Sequence, residues 1–509
     1  MSARSFEHND PVTKVLIAPW GRPTWAETTY TILTSDKSGE ASKISYKSKT
    51  SLHPLENYIK PDLTIVLCLD SLAMYEYKSS TSDCNNPSYK AIKEAAKDYV
   101  CKCIREFDEY YNKANNKSNN RPSRIIWVLP GTGNFVDGNY PSVQLKGSMM
   151  DFYYILLLKL SKFFVEHNNI KEVHLDLTHG INFMPVITYR ALKEVLGVFN
   201  MYKKDQDQVK LFVYNSDPFV RGETPLVINT LENTAVSPSS YSFYIPSGEK
   251  IVFLKYVETE ICTEKRRELE QQMREIIDQR QEKIFYIKDK FDLRDAINCF
   301  LGSIHNGIFM GVFYSYVPAD TIMEIIEILE NLWLRGIEVR TENNKLTIFR
   351  NIMITPRFAV LVMAWLNTML LEISGVFKDL CEEGIELERI ERIKDYLRRY
   401  EPFFTREFYK IEKNKDRITN DWQILGNIYE ESQESPDAKK DKAEQDKAKQ
   451  DKGAVTRNFL AHVGFLMNAV LIKKIKKGDN DKIILRYEWG DGLDLDIFKS
   501  ACTKGMKEA

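Results

Sequence analysis

The chain contains no CxxC pair. Its eight cysteines are scattered, and only Cys101 and Cys103 stand close together. Neither a zinc knuckle nor a disulfide framework is indicated, and a reducing compartment fits. No GxxxxGK[ST] run occurs, which removes P-loop nucleotide hydrolysis. Gly131-Thr132-Gly133 lacks a third glycine at dinucleotide-binding spacing, the next being Gly138, so a nicotinamide cofactor is not indicated. Charge of one sign is not in excess either: 71 Lys and Arg against 72 Asp and Glu leave a net charge of -1 at pH 7. There is then no global nucleic-acid footprint, and any RNA binding must be local. The polar stretch Met1 to Pro11 is not a signal peptide. The longest apolar run, Phe358 to Leu371, is broken by Asn367 and Thr368; it is short for a membrane span and reads as a buried or interface helix.

What is present suffices for large cores: 43% hydrophobic and 12% aromatic residues over 509 positions, a length that suggests roughly two to four domains. Strands and helices alternate at first. Val12–Pro19, Leu63–Leu69, Arg124–Leu129, Val173–Leu177 and Leu211–Tyr214 read as apolar strands, with helices over about Tyr89–Tyr111, Met149–Phe164 and up to Phe199. Continuous apolar strands between helices imply a parallel, doubly wound sheet covered on both faces. Ligands of such sheets sit beyond the C-terminal strand ends. There the chain places Trp20-Gly21-Arg22-Pro23-Thr24-Trp25, Pro130-Gly131-Thr132-Gly133-Asn134-Phe135, Thr178-His179-Gly180-Ile181-Asn182 and Asn215-Ser216-Asp217-Pro218. Glycines admit close backbone approach, helix N-termini attract phosphates, and Trp20, Trp25 and Phe135 are candidates to stack on bases. His174, Asp176 and His179 suggest a metal only weakly, since no further ligand set is evident. Asp176 reads better as a carboxylate that organises its loop through backbone amides.

The second half reads mostly helical, over roughly Leu293–Phe313, Ala319–Trp333, Arg357–Phe377, Leu387–Arg399 and Asp421–Glu430, with a hairpin at Ile337–Arg350 and a final hairpin strand at Ile483–Glu488. His305-Asn306 is a structural polar pair before it is a second catalytic pair. Glu223 to Phe253 is a connector with a few strands, and Glu258 to Lys283 an exposed, charged linker helix carrying Leu269, Met273, Ile276 and Ile277. Ser432 to Gly453 is low-complexity, with a five-residue repeat that has no apolar face, and reads as a solvated insertion.

Chemistry concentrates in Thr456–Phe465. Thr456 suits a helix cap, and Phe459, Val463, Leu466 and Val470 recur as a buried stripe. Asn458 and His462, four apart, share a face, with Arg457 in reach of the same spot. An imidazole with an unperturbed pKa near ~6.5 exchanges protons at neutral pH. A guanidinium neutralises charge on a phosphorus-centred transition state, and an amide orients a phosphate or the imidazole. The trio suits metal-free cleavage of RNA.

Asp176-Leu177-Thr178-His179-Gly180 resembles the DxTHG signature of CRISPR-associated accessory ribonucleases. These join a Rossmann-like CARF sensor domain to a helical HEPN nuclease domain. The Trp-Gly turn, Pro-Gly-Thr-Gly-Asn, DxTHG followed by Asn182, Tyr-Asn-Ser-Asp-Pro and a late Arg-Asn-x3-His fall in the family's order. The resemblance implies an α/β Rossmann-like CARF domain over residues 1–235, a connector and linker helix over 236–290, and a mainly α-helical HEPN domain over 291–509 with a small β-hairpin insertion and the charged 432–453 segment. It implies a sensor for cyclic oligoadenylate, foremost cyclic tetra-adenylate. Trp20, Gly21, Thr132, Gly133, Asn134, His179, Gly180 and Asn182 are the ligand-binding residues carried over, and Arg457, Asn458 and His462 the catalytic ones. It also implies single-stranded RNA as substrate, a homodimer or an oligomer of dimers, a cytoplasmic location with no membrane partner, no metal, and products with a 2′,3′-cyclic phosphate. A ligand-sensing transcription regulator, its terminal hairpin acting as a wing, and a ring nuclease using His179 are the rival readings.

Overall fold

The computed structural model describes residues 11–35, 41–76, 87–117, 121–138, 140–220, 225–246, 252–257, 263–279, 292–342, 345–429, 452–477, 480–490 and 493–509. The N-terminal part is built on strands β1 (Lys14–Pro19), β2 (Thr28–Ser35), β3 (Ala41–Ser48), β4 (Leu63–Leu69), β5 (Ser123–Leu129), β6 (Gly133–Phe135), β7 (Ser142–Lys146), β8 (Glu172–Asp176), β9 (Lys210–Ser216) and β10 (Leu226–Ala235). Its helices are α1 (Leu52–Ile59), α2 (Tyr89–Asn115), α3 (Met150–Glu166) and α4 (Phe183–Met201).

Eight strands form one sheet in the order β3-β2-β10-β9-β8-β1-β4-β5. The five from β9 to β5 are parallel, as their unbroken apolar runs require. Val15, Leu16, Ile17 and Ala18 are fully buried, facing helices on both sides. The sheet is not purely parallel: β10 runs antiparallel to β9, and the β2–β3 hairpin extends that edge. That hairpin carries a polar alternation (Thr28, Thr29, Thr31, Ser42, Ser45), which hides a strand from a search for apolar runs.

The hairpin expected at 337–350 is present but does not stay among the helices. Ile337–Glu342 pairs antiparallel with Lys345–Arg350, which lies parallel to β7, which in turn pairs with β6. Two strands from the second half thus complete a four-stranded sheet begun by the N-terminal part. The junction is fixed by Arg350, whose buried side chain is ion-paired to buried Asp70 and also donates to the Gly131 carbonyl. Asp70 accepts the Gly131 N–H (2.9 Å) and the Tyr89 hydroxyl (2.8 Å). Leu254–Tyr256 adds a short antiparallel pairing with Ile352–Ile354. Buried Asp151, on the first turn of α3, accepts the Ile354 N–H at 2.9 Å.

The apolar helix Pro356–Ile373 packs against α3 and α4, so one core runs through both halves. It is long and apolar enough to cross a membrane but is mostly buried within the protein. One polar break in its run, Asn367, is satisfied locally: it accepts the Tyr202 hydroxyl (2.7 Å) and donates to the Met363 carbonyl (2.7 Å).

The remaining helices are Leu293–Asn306, Phe309–Tyr314, Ala319–Arg335, Leu387–Lys394, Glu401–Lys413, Leu425–Tyr429, Lys452–Ala461 and Leu495–Thr503. Asp292 caps the first by accepting the Asp295 N–H at 2.7 Å, and Gly307, at φ 67°, ends it. The expected single helix to Phe313 is therefore two. Asn306 Nδ2 donates to the carbonyls of Ala501, Cys502 and Lys504, a structural role that closes the last helix. The terminal hairpin Val470–Lys477 and Asn480–Tyr487 sits inside a four-stranded sheet with Ile385–Glu386 and Gln423–Ile424, rather than projecting as a wing. The charged helix is described over Thr263–Asp278, with Leu269 and Met273 buried rather than solvated. Most of the 432–453 segment, residues 343–344, and residues 258–262 and 280–283 of the charged stretch lie outside the described residues.

Candidate nuclease site and sensor face

The stretch Thr456–Phe465 differs from the long helix expected. The helix ends at Ala461; His462 is its first residue past the end, its N–H donating to Asn458 O at 3.1 Å. Val463 (φ 47°) and Gly464 (φ 89°) turn left-handed, and the Gly464 N–H reaches back to Phe459 O at 2.9 Å. Phe459, Val463, Leu466 and Val470 are all buried, but Val470 opens a strand, so the stripe spans a helix, a turn and a strand. Thr456 is not the cap. It lies within the helix, its Oγ1 donating to Lys452 O at 2.9 Å.

This ending matters chemically. It projects His462 sideways, half-exposed, onto the helix Glu401–Lys413, where Nδ1 meets Glu407 Oε1 at 3.1 Å. Glu407 is buried, with 1% of its side chain exposed. Burial would raise its pKa, but His462 and Lys410, whose Nζ lies 3.1 Å from Oε2, together hold it below the usual carboxylate value. A buried carboxylate on Nδ1 fixes the ring and leaves Nε2 as the edge available for proton transfer. Arg457 is exposed and Asn458 half-exposed on the same helix, five and four residues before His462. Exposed Arg406 touches Glu407 (3.1 Å) and the carbonyl of Ala461 (3.4 Å).

Glu407 is the residue that motif reading missed, because its helix was missed. Glu401-Pro402 opens that helix, and Phe404, Phe408 and Ile411 recur along its packed side. That signal was available. Nothing in the local pattern marks Glu407 itself. His305 has a different role: its Nδ1 pairs with Ser240 Oγ at 2.9 Å, and its carbonyl accepts the Tyr400 hydroxyl.

At the sensor's strand ends the carried-over residues divide into rim and support. Thr132, Gly133, Asn134, Gly180 and Asn182 are at least partly exposed. The loops after β5 and β8 are three strands apart, or roughly 15 Å, a span suited to a ligand larger than one phosphate. Asn182 holds φ 39° directly before α4. Trp20 and Gly21 are support. Trp20 is fully buried edge-on to Trp25, with ring centroids 5.0 Å apart, so base stacking on Trp20 is corrected: its faces are already covered. The Gly21 N–H donates to His179 O at 2.8 Å, and a Cβ there would fall 2.3 Å from Ile181.

His179 is half support as well. Its ring stacks on Trp25 at 3.9 Å, and Nε2 accepts the Ser51 N–H at 3.1 Å. Burial pushes its pKa down to about 3, so it is neutral at working pH with Nδ1 carrying the proton. Asp176 organises its loop as expected, accepting Thr178 N–H (3.0 Å) and Ser51 Oγ–H (2.6 Å), with burial raising its pKa. His174 bonds Tyr214 (3.0 Å) and Glu172 (3.3 Å) and stacks on Phe212. The three side chains suspected of metal binding thus have other partners.

A partly exposed rim on a doubly wound sheet and a carboxylate-held histidine on an Arg-Asn-x3-His helix are the layout expected of a sensor-coupled ribonuclease. Comparison with known proteins agrees. The family model for the CRISPR system endoribonuclease Csx1, CARF domain, matches residues 15–218, and that for its HEPN domain matches residues 397–489, together more than half of the chain. The CRISPR system endoribonuclease Csx1 of Methanocaldococcus jannaschii is 28% identical over 521 aligned positions, covering 97% of this chain and 96% of that protein. Among solved structures, Enterococcus italicus Csm6 bound to cyclic hexa-2′-fluoro-hexa-dAMP covers 80% of this chain and 85% of its own, at 9% identity and a TM-score of 0.23, too slight a likeness to build on. The chain belongs to the type III CRISPR accessory endoribonucleases that pair a CARF domain with a HEPN domain.

Proposed function

We propose that a cyclic oligoadenylate, foremost cyclic tetra-adenylate, activates this endoribonuclease by binding the rim formed by Thr132, Gly133, Asn134, Gly180 and Asn182, and that Arg457, Asn458 and His462 cleave single-stranded RNA without a metal. The observation that carries the catalytic half is the Glu407–His462 pair: a half-exposed imidazole braced by a buried carboxylate beside an exposed guanidinium. In the reaction the 2′-hydroxyl oxygen bonds to the adjacent phosphorus and the P–O5′ bond breaks. The 2′-hydroxyl proton leaves to a base, and a proton is delivered to the departing 5′ oxygen. The products are a 2′,3′-cyclic phosphate and a 5′-hydroxyl. His462 performs one of these transfers and Arg457 neutralises the phosphorane.

Each chain supplies one His462, and two copies facing each other supply both proton carriers. Dimerisation, or an oligomer of dimers, follows from that need. Val136 and Val186, 79% and 69% exposed beside the rim, favour a second copy there. The relay from rim to nuclease runs through the Ile337–Arg350 hairpin, since Arg350 bonds the Gly131 loop from below, in addition to the charged helix. The enzyme is placed in the cytoplasm, where its activator and transcripts meet.

The test is cleavage of single-stranded RNA in EDTA, with and without cyclic tetra-adenylate or cyclic hexa-adenylate. Stimulation in EDTA and loss in His462→Ala are expected. No stimulation by either ring sinks the sensor half; cleavage surviving His462→Ala sinks the site.

A further inference from the structure

The helix Glu401–Lys413 has a use beyond bracing His462. At 100° per residue, take Glu407, which meets His462, as the origin. Buried Phe404 and Ile411 lie on one side at about +60° and +40°, with exposed Glu401 and Glu412 beyond them at about +120° and +140°. On the other side, in order from the histidine, come Phe403, Lys410, Arg406, Lys413 and Tyr409, spanning about 40° to 160°. Phe403 is 47% exposed and Tyr409 65%. The helix thus sorts its charges: cations and two bare aromatics on one flank of the catalytic histidine, acids on the opposite flank.

We propose that this flank is the track on which single-stranded RNA lies next to the scissile phosphate. Arg406, Lys410 and Lys413 hold its backbone, and the rings of Phe403 and Tyr409 stack on bases. The inference rests on the proposed nuclease site. The charge sorting selects the occupant: an overall charge-balanced protein gathers cations here, interleaved with exposed rings, as single-strand binding requires. Arg406 ties the track to the site through Glu407 and the Ala461 carbonyl, one residue before His462.

The test uses the full-length protein with cyclic tetra-adenylate or cyclic hexa-adenylate. Phe403→Ala/Tyr409→Ala is expected to raise KM for a short single-stranded RNA about 10-fold or more, the loss typical of stacking, with kcat held within about twofold. Tyr409→Phe keeps its ring and is expected to behave as wild type. Lys413→Gln lowers the salt dependence of binding by about one phosphate contact, whereas Glu412→Gln does not weaken binding. Binding is read separately by fluorescence anisotropy in the His462→Ala background. If that binding weakens although the parent enzyme never cleaves RNA, the nuclease reading fails and the track stands. Unchanged binding and KM in the double variant overturn the track, as does a fall in kcat alone. A change of oligomeric state in the double variant also overturns it, because the flank is then a contact between copies.

Discussion

Arg350→Met tests the link between the halves most directly. In the folded protein the guanidinium is fully buried and satisfies two acceptors, the Asp70 carboxylate and the Gly131 carbonyl. Methionine keeps an unbranched apolar stem but is shorter and removes both contacts. Asp70 then remains buried, with only the Gly131 N–H and the Tyr89 hydroxyl. Removing one partner of a buried ion pair costs about 3–5 kcal/mol, because the other charge stays uncompensated. At about 2–4 °C per kcal/mol for a unit of this size, the sensor's thermal transition falls by roughly 6–20 °C. Asp70→Asn in the same protein removes the stranded charge, so the double variant Asp70→Asn/Arg350→Met loses at least about 2 kcal/mol less than the two single changes added together. Scanning calorimetry of the four proteins reads the cycle. A titration of RNA cleavage against cyclic tetra-adenylate reads the consequence, since the Gly131 loop loses its anchor: half-maximal activation moves to higher activator while the maximal rate holds. Additive stabilities, or an Arg350→Met protein within about 1 kcal/mol of wild type, would refute the reasoning.

Glu407→Gln keeps the volume but not the charge that braces His462, and kcat should fall about 10- to 100-fold with little change in KM; an unchanged kcat removes Glu407 from the site. Asp151 has its pKa raised by burial from 3.8 to about 6, against the Ile354 N–H and Arg350, which favour its charged form. A raised folded-state pKa means stability that is complete below the unfolded value and is lost as pH rises through about 6. The shift of about two units corresponds to about 3 kcal/mol. Asp151→Asn keeps the acceptor for Ile354, so its melting temperature relative to wild type should rise between pH 4 and pH 7; a difference that is flat with pH contradicts this. Gly180→Ala places a Cβ 2.5 Å from the Pro185 ring and should cost about 1–3 kcal/mol by denaturant melting, with weaker activation because Asn182 shifts with the start of α4.

The parallel half of the sheet was legible because buried parallel strands are apolar throughout, as in Val15–Ala18 and Leu63–Leu69. The β2–β3 hairpin was not, because an edge hairpin with one solvated face alternates with Thr and Ser. Arg457, Asn458 and His462 were legible as a spacing, but the spacing assumed a helix that runs on. The left-handed turn at Val463-Gly464, unusual for a β-branched residue, ends it and aims His462 at Glu407. That partner lies 55 positions earlier on another helix, and no local pattern pairs the two. Trp20 shows the converse: an aromatic at a strand end looks like a stacking platform until its burial is known. The hairpin at 337–350 was legible as a hairpin, while its destination was not, since strands that pair across 200 residues leave no periodic trace.

That destination has a consequence for how the molecule comes into being. Asp70 and Arg350 are separated by 280 positions, and β7 obtains its parallel neighbour only after about 200 further residues have been made. At synthesis rates of about 5–20 residues per second, β7 waits roughly 10–40 s with one edge bare, and Asp70 waits roughly 14–56 s for its counter-charge. The first half of the chain therefore does not finish folding as it leaves the ribosome. The Gly131 loop, beside the proposed ligand rim, matures only when most of the polypeptide exists, so a fragment released early would carry a sheet with an open edge and that loop without its Arg350 anchor.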